Sequence, residues 1–293
     1  MAGELITRDA HLEARLPTLH SGRGAADSEM SALAPPRKTA TNGIDPPLEL
    51  TEIALLIGGG LVAGTVNTLA GGGSLLTVPL LVLCGLPGNL ANGSNRVGVL
   101  VQTATAVWSF RAQGVSELRG TFSVLAPLLL GSLIGAGVVS QLSDALFERA
   151  FGVVMLLLLA PTVLRRRSKP DSSGTTWSRG TASGVFFLIG VYGGAFQAGV
   201  GLLLLLALAR SGIDLVRANA QKVAAVGMLT AISLPVFIAN GQVAWLPAAL
   251  LAIGFSGGGA LGARIAVRGG ERLIRPVVAV AVIALAAKML GLY

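Results

Sequence analysis

Between residues 50 and 290 the chain is a succession of apolar windows of about twenty residues, nearly devoid of Asp and Glu and parted by short polar stretches. As a helix, each window is long enough to cross a hydrocarbon core of roughly 30 Å. Hydrophobic residues make up 53% of the chain and charged residues only 12%, against about 25% charged in an ordinary soluble domain. Mean hydropathy is +0.73. The expected fold class is therefore all-α, a polytopic transmembrane helical bundle. The 40 glycines fit that class, because in a bilayer small residues let helix backbones approach closely.

The formal net charge of +8 could mark a nucleic-acid partner, but the Lys and Arg sit in short loops between apolar windows. That is the positive-inside pattern of a membrane protein, so no nucleic-acid partner is expected. Cys84 is the single cysteine, which rules out an intrachain disulfide or a cysteine-based metal site. His11 and His20 both lie in the polar N-terminal stretch, so no metal cluster or His-dependent triad can be assembled among the spans. No enzyme activity, metal or cofactor is expected.

The windows fall into two similar halves. Residues 1–48 carry charges of both signs, Pro35-Pro36 and Pro46-Pro47, and no long apolar run, and they read as a disordered tail without a signal peptide. A first repeat over 49–164 holds five segments, at 50–70, 74–84, 92–110, 122–142 and 146–164. A basic linker over 165–179, opened by Arg165-Arg166-Arg167-Ser168-Lys169, follows. A second repeat over 180–293 holds five more, at 181–197, 199–209, 216–239, 243–265 and 274–290. An odd count per half inverts the second copy relative to the first, as in many secondary transporters.

Loop charge supports that count. With the linker in the cytoplasm, the loops bearing Arg111 and Arg119, Arg210 and Arg217, and Arg264, Arg268, Arg272 and Arg275 all fall on the same side. The loops at 85–89, 140–144 and 240–242 lack Lys and Arg and fall on the other. Counting the short pieces 74–84 and 199–209 as re-entrant leaves eight crossings instead of ten and puts the Arg264 to Arg275 loop outside. Five plus five agrees better with the charge rule. The expected location is a bacterial inner (plasma) membrane.

Each half interrupts an apolar run with glycine and places a cation about twenty residues later. In the first, Gly71-Gly72-Gly73-Ser74 precedes Asn92-Gly93-Ser94-Asn95-Arg96; in the second, Gly199-Val200-Gly201 precedes Asn219-Ala220-Gln221-Lys222. A helix broken at such a run leaves free amides at the start of the next half-helix, and these with the helix dipole form an anion site. Close helix packing is the other use of the same glycines. Arg96 and Lys222 either face a cavity, since a charge within the bilayer costs roughly 3 kcal/mol, or snorkel to the headgroups. With Asn67 and Gln197 beside the breaks, the candidate substrate-binding set is Asn67, Gly71, Gly72, Gly73, Ser74, Asn92, Asn95, Arg96, Gln197, Gly199, Gly201, Asn219, Gln221 and Lys222. Donors dominate this set and carboxylates are missing from it, which suits a small oxoanion rather than a cation.

The same residues resemble a known family. Asn67-Thr68-Leu69-Ala70-Gly71-Gly72-Gly73-Ser74 with Pro79-Leu80, then Ala91-Asn92-Gly93-Ser94-Asn95-Arg96-Val97, Tyr192-Gly193-Gly194 and Val216-Arg217-Ala218-Asn219-Ala220-Gln221-Lys222-Val223 are similar to the TauE/SafE sulfite exporter family of membrane permeases. The resemblance covers about residues 52–291, and the long polar start departs from it. It implies transport of sulfur-containing anions such as sulfite, sulfonates, sulfoacetate or thiosulfate, in a direction that varies among members. Without a nucleotide-binding motif, a proton or ion gradient, or simple facilitated flux, is left as the drive. A non-transporting scaffold subunit that docks a partner through the basic linker, and an anion channel, are the alternatives.

Overall fold

A computed structural model describes residues 49–115, 122–164, 177–209 and 215–268. The expected tail at 1–48, most of the basic linker and the last apolar window at 274–290 lie outside the described residues.

Every regular element among the described residues is an α-helix. The order is α1 Leu50–Ala70, α2 Ser74–Leu83, α3 Gly88–Ala112, α4 Phe122–Val139, α5 Asp144–Leu164, α6 Arg179–Phe196, α7 Val200–Ala209, α8 Leu215–Ala239 and α9 Trp245–Val267. The starts are written in short-range chemistry. Glu49 and Glu52 form a reciprocal capping box on α1, Pro87 precedes α3, and the Ser178 hydroxyl accepts from the Thr181 amide at the head of α6.

Three of the described helices, over Leu50–Leu69, Val216–Ala239 and Trp245–Val267, are long and apolar enough to cross a membrane. Helices α2 and α7, at 10 residues each, rise only about 15 Å. Neither crosses a ~30 Å core by itself. Polar side chains are buried within the apolar core and large apolar ones are exposed around it: Arg96, Asn92, Asn95, Gln102 and Lys222 lie inside with Phe147, Phe151 and Phe255, while Leu50, Leu157, Leu188, Ile253 and Trp108 are exposed. That arrangement suits a lipid solvent, where apolar side chains face outward at no cost.

Two parallel helix pairs carry the packing, and glycine makes both. Along α1 and α9, a Cβ on Gly254 would stand 2.0 Å from the Ile57 carbonyl oxygen and one on Gly258 2.4 Å from that of Leu61. Along α4 and α6, a Cβ on Gly131 would stand 2.2 Å from the Phe187 carbonyl oxygen and one on Gly194 1.9 Å from that of Ser132. Backbones approach this closely only where side chains are missing. In both pairs the fourth helix of one half lies against the first helix of the other.

Helices α3 and α8 cross between the pairs in opposite senses. Gly93 packs on Phe237 and Gly227 on Thr103, so the head of one helix meets the tail of the other. At one end of the bundle the lysine- and arginine-free loops interlock: Asn89 Nδ2 donates to the Leu142 carbonyl at 2.6 Å, Gln141 Nε2 to Asn240 Oδ1 at 3.4 Å and Gln242 Nε2 to the Ser140 carbonyl at 2.8 Å. Elsewhere Phe110, Val223 and Ala263 form a separate apolar cluster, gathering the segments that carry the exposed Arg111, Arg217, Arg264 and Arg268.

Candidate functional site: the junction of two broken helices

Helix α1 stops at Gly71, whose φ of +82° is a left-handed conformation that glycine adopts without strain. Through Gly72 and Gly73 the chain turns back, and α2 runs against α1, with Leu80 over Gly59 and Gly73 against Ala63. Helix α6 stops in the same way at Gln197, a non-glycine residue at φ 61°, and Gly199 at φ +67° completes the turn into α7. The two turns touch. A Cβ on Gly71 would lie 2.4 Å from the carbonyl carbon of Gly201, and one on Gly201 2.6 Å from the Gly71 Cα. The glycines at the two breaks are buried.

Both candidate cations are buried here, at 0% exposure for Arg96 and 1% for Lys222, so neither snorkels to an outer surface. Lys222 Nζ donates to the carbonyls of Thr68 at 2.9 Å and Asn67 at 3.3 Å, the last turn of α1. The Arg96 guanidinium donates to the carbonyls of Gly193, Gly194 and Ala195, the last turn of α6. It also reaches Gln197 Oε1 at 2.6 Å and Ser233 Oγ at 2.7 Å, and its Cζ stands 4.4 Å from the centre of the Phe237 ring. A helix C-terminus presents unpaired carbonyls and the negative end of its dipole, which a cation satisfies. Each half thus supplies the cation that closes the broken helix of the other. One sequence interval relates Arg96 to Lys222, Gly193 to Asn67, Gly194 to Thr68 and Gln197 to Gly71.

The amide side chains hold the turns. Asn67 Oδ1 accepts from the Gly73 amide at 3.3 Å, and its Nδ2 donates to Gln102 Oε1 at 2.6 Å. Asn95 joins Ser74 Oγ at 3.1 Å and Thr77 Oγ1 at 2.5 Å. Asn92 Nδ2 donates to the Ala195 carbonyl at 2.9 Å, and Gln197 Nε2 to Thr230 Oγ1 at 2.6 Å. The structure therefore brings Arg96 onto Gln197, Lys222 onto Asn67, Asn95 onto Ser74 and Gly71 onto Gly201. Asn219 and Gln221 are also buried; among the described residues their Oδ1 and Oε1 have no hydrogen-bond partner.

The sequence reading missed Gln102, fully buried on α3, whose Nε2 donates to Thr68 Oγ1 at 2.6 Å while Oε1 serves Asn67. Gln102→Leu keeps the bulk, strands the Asn67 Nδ2 and removes the donor to the Thr68 hydroxyl, which keeps its own bond to the Gly64 carbonyl. Each lost bond between neutral groups in a dry interior is worth about 1 kcal/mol, and a stranded buried partner adds to that. The variant should unfold about 2 to 3 kcal/mol more easily in detergent. Unchanged stability would show that Gln102 does not hold the first turn.

The junction offers hydrogen-bond donors and positive charge. Arg96 bonds the end of one broken helix and Lys222 the end of the other, and the amides of Gly72, Gly199 and Gly201 find no backbone acceptor among the described residues. Such amides at the head of a helix bind anions. No group of three or more His, Cys, Asp or Glu that could hold a metal ion occurs among the described residues.

A family model described as sulfite exporter TauE/SafE matches residues 56–289, a stretch that contains both broken helices and both cations. The chain belongs to the TauE/SafE family. It is similar to a protein of Haemophilus influenzae named as a probable membrane transporter protein, 28% identical over 81% of this chain and 94% of that one. A Sinorhizobium protein, probable membrane transporter protein ORF9, is 26% identical over 82% of this chain and 92% of its own. A Xylella fastidiosa probable membrane transporter protein is 29% identical over 82% and 95%. No solved structure matches the chain. Family, relatives and apolar helices agree that this TauE/SafE member is an integral membrane transporter.

Proposed function

We propose that this TauE/SafE protein is a secondary permease for small sulfur-containing anions such as sulfite, sulfonates or thiosulfate, working by alternating access around the junction of the broken helices. One observation carries the reading: two helix breaks meet tip to tip, with a buried cation from each half reaching across to the other. The senses of packing support two inverted repeats, because α1 runs with α9 and α4 with α6 while α3 and α8 cross head to tail. In an inverted pair the two tips approach from opposite faces, and rocking one half against the other opens the junction to each side in turn. The end bearing Arg111, Arg217, Arg264 and Arg268 then faces the cytoplasm. Bacterial relatives support an inner-membrane location. A proton or ion gradient, or the anion's own gradient, drives the flux.

Purified protein in proteoliposomes is expected to take up labelled sulfite, thiosulfate or a sulfonate with saturation. Conductance far above carrier turnover would mark a channel instead. Recovery of a stoichiometric partner together with no anion flux would mark a scaffold subunit.

A further inference from the structure

On α3, one helical turn apart, two fully buried groups are left with nothing to bond. Asn92 Oδ1 and Arg96 Nε have no hydrogen-bond partner, although the rest of both side chains is engaged. The orientation of the Asn92 amide is fixed by its environment: the Ala195 carbonyl, 2.9 Å away, can only accept, so the NH2 faces it and the oxygen points away. Arg96 donates to that same Ala195 carbonyl at 3.2 Å, which ties the two side chains to one spot beside the second break. Beside the second break, α3 therefore carries within one turn a charged donor, the Arg96 Nε–H, and an acceptor, Asn92 Oδ1, that no group among the described residues serves.

A fully ionised oxoanion satisfies only the first of these. Its oxygens would accept from Arg96 Nε and from the amides of the break, but against Asn92 Oδ1 they would set acceptor against acceptor. The interval that carries Arg96 onto Lys222 carries Asn92 onto Ala218, so the second half has no equivalent acceptor and the feature belongs to the Arg96 side alone. From this geometry we infer that the ligand accepted here is a monoprotonated oxoanion, an acid anion that keeps one hydroxyl. One of its oxygens accepts from Arg96 Nε and its O–H donates to Asn92 Oδ1. The inference rests on the permease reading and names the protonation state of its substrate.

The other ionisable groups near the spot are few. Tyr192 of α6 donates its hydroxyl to the Ala198 carbonyl, Lys222 of α8 holds the end of α1, and on α5 Glu148 packs on Gly88 while Asp144 accepts from the Asn89 amide. The carboxylates lie at the head of α3, about a turn before Asn92, where they serve the helix N-terminus.

Thermal stabilisation of the detergent-purified full chain tests this with two probes. Sulfite has a second ionisation within the range where proteins stay folded; methanesulfonate is a monoanion with no hydroxyl at any such pH. Stabilisation at fixed total sulfite should weaken as pH rises through that ionisation, the apparent affinity falling about tenfold per pH unit beyond it. Methanesulfonate, which also reports any titration of the protein's own cations, should show no such fall and should bind about tenfold or more weakly than sulfite at low pH. Asn92→Leu should flatten the sulfite profile toward that of methanesulfonate. A wild-type sulfite affinity that is level or rises with pH overturns the inference and leaves the permease reading standing. If no anion stabilises the chain or crosses the membrane with it, the permease reading falls and takes the inference with it.

Discussion

Arg96→Gln is expected to destabilise the protein by about 3 to 5 kcal/mol, the usual cost of removing one partner from a buried charged network. The guanidinium is the common donor for three terminal carbonyls of α6, for Gln197 Oε1 and for Ser233 Oγ, and a glutamine amide is too short and too poor in donors to replace it. Gln197 itself sits in a left-handed conformation, which costs a non-glycine residue roughly 1 to 2 kcal/mol. Its bonds to Arg96 and Thr230 are what hold it there. Lys222→Gln should cost about 1 to 3 kcal/mol, because the ammonium donates to the Thr68 and Asn67 carbonyls in the last turn of α1 and a glutamine amide is too short to reach them. Anion flux should fall roughly ten- to a hundredfold in each variant. Unfolding in detergent and uptake in proteoliposomes measure the two effects separately. Arg96→Gln with the stability of the parent would show that the guanidinium does not join the halves.

Much of this junction could be read from the chain before any coordinates. Gly71-Gly72-Gly73 and Gly199-Val200-Gly201 interrupt apolar runs, and an interrupted run in a membrane needs a reason. The nearly equal distance from each break to a cation in the following apolar span singled out Arg96 and Lys222. Much of what the cations touch was hidden, because beside the Gln197 and Ser233 side chains that Arg96 reaches they bond main-chain carbonyls of Asn67, Thr68, Gly193, Gly194 and Ala195, and a carbonyl is present at every residue whatever its side chain. The crossing of the contacts between halves depends on three-dimensional closure, which no local pattern encodes.

Gln102 escaped for a related reason. It stands beyond the Asn92 to Arg96 cluster, among Val, Thr and Ala residues of a long helix, and only the fold brings it beside Asn67. The helix pairs are a further instance. The glycines of α4, α6 and α9 suit close packing, but nothing in their spacing says that α4 chooses α6 or that α9 chooses α1. Segment ends, by contrast, were close to legible: the short pieces expected at 74–84 and 199–209 are helices Ser74–Leu83 and Val200–Ala209, because glycine and proline mark them directly.

Contact between the two tips predicts the second large effect. Gly201→Ala places a methyl group 2.6 Å from the Gly71 Cα, and Gly71→Ala places one 2.4 Å from the Gly201 carbonyl carbon and 2.5 Å from the Leu202 amide nitrogen. All of these neighbours are backbone, so no side chain can swing aside. Overpacking of this kind costs about 1 to 3 kcal/mol. Gly71→Ala adds the left-handed penalty of roughly 1 to 2 kcal/mol, and should be the worse of the two. The double variant should lose less than the sum, since one separation of the tips relieves both clashes and neighbouring sites couple. Flux should suffer beyond what stability explains, because tips held apart cannot close around an anion. Gly137→Ala is the control: a Cβ there meets nothing within 4 Å, and the helix should gain about 0.5 to 1 kcal/mol with flux unchanged. If Gly201→Ala behaved like Gly137→Ala in both measurements, the tips would not be in contact in the working protein, and the junction could not be the place where the anion is held.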